Sequence, residues 1–85
     1  MYKLTFKKSA VKEINSLPKK IVGPVVKVID SLAENPRPAD CIKLKGKEKL
    51  WRVRSRDYRI VYSIDDKVEI VEINRVRHRK DVYRL

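Results

Sequence analysis

Hydrophobic and polar positions alternate from the first residues. Tyr2, Leu4 and Phe6 stand against Lys3 and Thr5, which predicts a half-buried strand. The period then lengthens. Val11, Ile14 and Leu17 share one side of a helix that Ser9 is placed to cap and that runs to Leu17. Leu17-Pro18 breaks or redirects the chain. Ile21, Val25, Val28, Ile29 and Leu32 form one apolar stripe, so a second helix follows. Gly23-Pro24 leaves two arrangements open. Either Pro24 stands in the first turn with Gly23 as cap, or it kinks a helix that began near Pro18. The helix ends by Asn35-Pro36, and Pro38 extends the connection.

From Ile42 onward the pattern is that of strands. Ile42 to Leu44 is short, and Lys45-Gly46-Lys47 turns the chain. Leu50 to Arg56 alternates Trp51, Val53 and Ser55 with Arg52, Arg54 and Arg56, so the three arginines project together while Trp51 and Val53 face the core. Asp57 to Ile64 follows, with Tyr58, Ile60, Tyr62 and Ile64 in phase. Arg59 stands on its other face, where an antiparallel neighbour would bring it beside Arg52 and Arg54. Asp65-Asp66 is a hairpin turn, Val68 to Asn74 the last, mostly apolar strand, and Asp81-Val82-Tyr83 a short terminal helical turn. The fold class is α+β: an N-terminal strand, a helical hairpin, then a twisted, mostly antiparallel sheet of three to four strands. Without repeats or linkers, residues 1–85 read as a single domain.

Composition narrows the function. Eighty-five residues, 42% of them apolar, can fold around one small core. A formal net charge of +11, from 22 Lys and Arg against 11 Asp and Glu, predicts an acidic partner: nucleic acid first, an acidic protein second. Cys41 is the single cysteine, which excludes an internal disulfide and a Cys-based metal site and fits a reduced, cytoplasmic setting. One histidine and scattered acids suggest no metal centre, and no cofactor motif is present. The N-terminus lacks the apolar core of a signal peptide, and no stretch reaches membrane-spanning length.

The charge is unevenly spread. Lys43 to Arg59 carries eight cations and two acids, and Arg75 to Leu85 five cations and one acid, whereas Ile60 to Asn74 is net acidic. Two basic segments flanking an acidic one suggest a single face built from two pieces of chain. The last eleven residues add His78, which can move a proton near neutral pH, and Tyr83, which can stack on a base. That combination suits chemistry on RNA.

In order along the chain stand Leu32-Ala-Glu-Asn-Pro36, Lys43-Leu-Lys-Gly46, the paired strands Trp51-Arg-Val-Arg54 and Tyr58-Arg-Ile-Val-Tyr62, and Arg77-His-Arg-Lys-Asp-Val-Tyr83. The ordered set resembles the RelE/ParE superfamily of toxins of type II toxin–antitoxin systems, and more closely its RelE branch. The resemblance covers nearly the whole chain. It implies a ribosome-dependent endoribonuclease that cuts messenger RNA in the A site without metal, inhibits translation and is neutralised by a cognate acidic antitoxin.

By position, the resemblance assigns Arg52 and Arg54 to the basic pair of the first long strand and Arg59 to the transition-state arginine of the next. It assigns Arg77 to the proton donor for the leaving oxygen, and Tyr83 to the ring that stacks on or orients the base. Tyr83 could instead pin the C-terminus to the sheet. Lys43, Lys45, Lys47 and Lys49, with Arg56, Arg79 and Lys80, would meet ribosomal or messenger RNA phosphate. His78 is either an acid–base group, as in the YoeB-like relatives, or a surface residue; Ile42 stands near where their glutamate base would fall. Guanidinium groups suit a doubly charged phosphorane, because they grip phosphate with two donors and keep their charge. A gyrase inhibitor of the ParE kind, or a non-catalytic RNA-binding module, would use the same scaffold.

Overall fold

The computed structural model describes residues 1–46 and 49–82, with side chains as far as Lys80. The elements are β1 (Lys3–Phe6), α1 (Lys8–Asn15), α2 (Lys19–Glu34), β2 (Ile42–Lys43), β3 (Leu50–Ser55), β4 (Tyr58–Asp65), β5 (Ile70–His78) and α3 (Arg79–Val82). The expected N-terminal strand and helical hairpin are present, and β1 joins the four later strands in a five-stranded sheet of order β1-β5-β4-β3-β2. Only β1 runs parallel to its neighbour, β5; the other pairings are antiparallel.

Ser9 does not cap α1. Lys7 holds that position with no side-chain bond, and the Ser9 hydroxyl donates instead to the carbonyl of Asn74 at 2.8 Å. The reason lies in the sheet. β1 ends at Phe6, opposite Ile73, so beyond that point β5 has no strand on its β1 side and its polar groups there need other partners.

α2 is continuous from Lys19, with Pro18 as its N-cap and Pro24 inside it, which is the second of the two arrangements foreseen. Pro24 forfeits one helical hydrogen bond, and Gly23 before it offers no Cβ for the ring to crowd. Val25, Ile29 and Leu32 of α2 and Ala10 of α1 pack on Val53, Ile60, Tyr62, Ile64, Val71, Ile73 and Val76 of the sheet. Tyr62 is fully buried; its hydroxyl donates to the Pro36 carbonyl at 2.7 Å, and burial pushes its phenol pKa up. Trp51, placed on the core side by its parity, packs partly buried against this cluster, with the Arg37 guanidinium 5.1 Å from its ring.

The last strand does not stop at Asn74. It continues to His78 through a bulge: Tyr62 pairs with Ile73, Val61 with Arg75, and Asn74 is the extra residue between them. This changes the phase of the strand. Val71 and Ile73 face the core, and in an unbroken strand Arg75 and Arg77 would follow them inward. The bulge sends Val76 inward instead, where it is 2% exposed. Arg75 and Arg77 turn to the opposite face.

Candidate nucleic-acid interface

Strand register builds the candidate site from residues far apart in sequence. On the sheet face turned away from α1 and α2, Arg54 of β3 lies opposite Arg59 of β4, and Arg59 opposite Arg77 of β5. The next row holds Arg52, Val61 and Arg75. Neighbouring strands lie about 4.8 Å apart, so five arginines share a small patch. Like charges directly opposite each other destabilise a sheet, and this face stacks them in rows.

Arg59 is the innermost of the group, at 6% exposure. Its Nε, like that of Arg75, is buried with no hydrogen-bond partner among the described residues. A buried donor left unpaired costs about 1–3 kcal/mol. Such a cost is consistent with a group that serves an external acceptor rather than the fold. The nearby acid is Glu13 of α1, which reaches past the open edge of β5. Its Oε1 accepts the Val76 backbone N–H at 2.8 Å, and its Oε2 accepts the Arg77 Nε–H at 2.8 Å. The Arg75 Nε is 3.5 Å from the same Oε2. Glu13 and Arg75 were not foreseen as site residues. For Arg75 a signal existed, since it is two residues before Arg77 and so shares its face in an extended strand. For Glu13 there was none, because its partners lie more than sixty residues away.

The remaining candidates are placed as follows. Arg52 is half-buried and Arg54 exposed. Beside this pair, Asp40 and Ile42 complete a pocket of ≈ 300 Å³. Lys43 pairs with Trp51 and therefore lies on the helical side, its Nζ 6.0 Å from the indole ring. Lys45 is exposed in the turn after β2, and Lys49 is exposed at a positive φ of 63°. Arg56 occupies the tip of the β3–β4 hairpin at φ 55°. Arg79 and Lys80 are exposed at the start of α3, and the Arg79 backbone N–H donates to the Asp57 carbonyl at 2.7 Å. His78 is opposite Tyr58, edge-on to its ring at 5.2 Å, on the face away from the arginine rows. The register thus gathers Arg52, Arg54, Arg59 and Arg77 and leaves His78 and Lys43 on the other side. Lys47 and Tyr83 lie outside the described residues.

Comparison with known proteins places this geometry in context. Residues 4–83 match the family model of the ParE toxin of the type II toxin–antitoxin system parDE. Toxin RelE of Mycobacterium tuberculosis is 33% identical over 85 residues, an alignment covering 99% of this chain and 88% of that protein. Toxin RelG of the same organism is 31% identical over 84 residues, covering 98% and 97%. Among solved structures, a chain of the archaeal RelE–RelB complex from Pyrococcus horikoshii superposes with a TM-score of 0.80 at 34% identity, covering 92% of this chain and 94% of that one.

Proposed function

The chain belongs to the ParE toxin family of type II toxin–antitoxin systems, on its RelE-like side, and from that premise we propose that it is an endoribonuclease that cuts messenger RNA in the ribosomal A site. The observation that carries the reading is the row Arg54–Arg59–Arg77, with Arg59 6% exposed and its Nε buried and unpartnered among the described residues. Phosphate meets the needs of that row, because the planar fork of an arginine gives its oxygens charge-assisted, bidentate hydrogen bonds.

The reaction would begin with attack of the ribose 2′-oxygen on the adjacent phosphorus. The new bond forms as the 2′-hydroxyl passes its proton to water and the bond from phosphorus to the 5′-oxygen breaks, leaving a 2′,3′-cyclic phosphate and a 5′-hydroxyl. Arg59 and Arg54 would hold the non-bridging oxygens as charge builds on the phosphorane, and Arg77 would donate to the departing 5′-oxygen. Tyr83 would stack on or orient the base. Lys45, Lys49, Arg56, Arg79 and Lys80, all exposed, would meet ribosomal RNA phosphates, with Arg52 beside the messenger; Lys43 and Lys47 belong to the same basic stretch of sequence. A guanidinium is a poor base near neutral pH, so catalysis would rest on orientation and electrostatic stabilisation, with the ribosome presenting the substrate. His78 is separated from the row by the sheet and takes no part in this scheme.

An acidic antitoxin is the matching protein partner, laid over the same cationic face in the cytoplasm, as the RelB of the solved relatives accompanies its RelE. The test uses programmed ribosomes with an empty A site, the purified protein and Arg77→Ala, and primer extension to map new 5′ ends. A cut in the A-site codon, slowed about 10²–10⁴-fold by Arg77→Ala and absent on free RNA, is expected. The matching family model bears the ParE description, so gyrase inhibition is the second reading. No cut by the folded protein, together with inhibited supercoiling by gyrase, would replace the first with the second.

A further inference from the structure

We infer that Glu13 is a positioning residue for Arg77: it fixes the guanidinium through Nε and leaves the Nη donors for the phosphate. The inference rests on the nuclease reading above and adds a residue to it from the helical hairpin.

The geometry forms a closed circuit. Glu13 Oε1 is tied to the backbone N–H of Val76, the residue immediately before Arg77, and Glu13 Oε2 is tied to the Arg77 Nε, both at 2.8 Å. The carboxylate is therefore anchored to the same strand whose side chain it holds. An arginine side chain is long and rich in rotamers, and freezing it at the moment of reaction slows the reaction. Here the freezing is done beforehand. The carboxylate is 21% exposed and the Arg77 side chain 28%, so the pair is partly shielded from water.

Three features distinguish this contact from a surface ion pair. It engages only Nε of Arg77 and, among the described residues, takes up neither of the terminal nitrogens. It follows a bulge at Asn74 that turns Arg77 to this face. Ser9, one helical turn before Glu13, bonds the Asn74 carbonyl at 2.8 Å, so α1 grips both the bulge and the arginine beyond it. An acid beside a phosphate site would ordinarily repel the substrate. With Oε1 and Oε2 already occupied by donors, and with the Arg75 Nε 3.5 Å from Oε2, this one is surrounded by positive partners.

The experiment is single-turnover cleavage on programmed ribosomes by wild type, Glu13→Gln, Glu13→Ala, Arg77→Ala and the Glu13→Gln/Arg77→Ala double variant. Glu13→Gln keeps an acceptor for the Val76 N–H, so its thermal melt tests whether the fold survives. The expected result is a maximal rate lowered about ten- to a hundredfold, with the half-saturating protein concentration unchanged. In the Arg77→Ala background, adding Glu13→Gln should change nothing further. Wild-type rates for Glu13→Gln and Glu13→Ala, or a full additional loss in the double variant, would overturn the inference while leaving the nuclease reading intact. A folded wild type that does not cut would remove both.

Discussion

Replacing Arg59 with methionine should stabilise the folded chain while abolishing its toxicity. Arg59 is 6% exposed and faces Arg54 on one side and Arg77 on the other. Each directly opposed like-charge pair costs about 0.2–1 kcal/mol, and the unpartnered buried Nε adds about 1–3 kcal/mol. Methionine keeps most of the apolar stem and removes both penalties, against some loss of packing from its smaller volume. The net gain should be about 1–3 kcal/mol. For a domain of this length each kcal/mol moves the melting temperature by roughly 4–8 °C, and in urea the midpoint should rise by about 1–3 M. Thermal and urea melts of Arg59→Met read the change directly. Inorganic phosphate should raise the wild-type Tm more than chloride of equal ionic strength, and that difference should shrink in the variant. A Tm for Arg59→Met below that of wild type would refute the reasoning, because the guanidinium would then be a net contributor to the fold.

Two further substitutions probe the frame around the site. The Asp66 carboxyl is held below its usual range by hydrogen bonds from Arg37 first and Tyr2 second. Its folded pKa thus lies below the unfolded value of about 3.9, so the stability it contributes is present above that value and is lost as pH falls through the folded pKa. Asp66→Asn should melt below wild type near neutral pH, and the gap should close as the buffer is taken from about pH 5 toward pH 2; a constant gap would exclude this carboxylate as its source. Arg56 sits at φ 55° on the β3–β4 hairpin, a conformation that costs a side-chain-bearing residue about 1–2 kcal/mol and glycine little. After the entropy that glycine loses on folding, Arg56→Gly should gain about 0.5–1 kcal/mol and raise Tm. A lower Tm would mean that the arginine side chain supports the turn by contacts that outweigh its backbone strain.

Most of this architecture was readable because it is local. The stripe from Ile21 to Leu32 made α2 visible despite Pro24, since five apolar positions at helical spacing outweigh one missing N–H. The alternation through Trp51, Val53 and Ser55 put Arg52 and Arg54 on a common face, and the hairpin that follows brought Arg59 opposite Arg54. Local patterning also misled at one point. Ser9 stands where a helix cap belongs, yet the unpaired carbonyl of Asn74 claims its hydroxyl. A cap bond can be replaced by water at an exposed helix end, whereas a strand carbonyl at a part-buried edge has fewer alternatives.

The part of the site that was not readable depends on a single inserted residue. By parity with Val71 and Ile73, Arg75 and Arg77 belong in the core, and Asn74 reads as the end of the strand. Neither holds, because the bulge at Asn74 lets pairing resume one residue out of phase. Nothing in the local sequence demands it: the alternative register would bury two guanidiniums and expose Val76. The burial of those charges costs far more than one unpaired strand residue, so the energetic choice is clear only once the whole sheet is considered. The same shift leaves the Val76 N–H without a strand beside it, and Glu13, sixty-three positions earlier, supplies the acceptor. One bulge therefore both aims Arg77 at the cationic face and creates the backbone site that anchors its carboxylate partner. A variant lacking Asn74 would join Ile73 to Arg75 in a regular strand that keeps Val76 inward and Arg75 and Arg77 on the cationic face. It should therefore keep its anion-binding face and lose only the Ser9 contact to the Asn74 carbonyl. Phosphate-induced stabilisation equal to wild type in a thermal melt is the expected result, and its loss would show that the bulge itself aims the arginines.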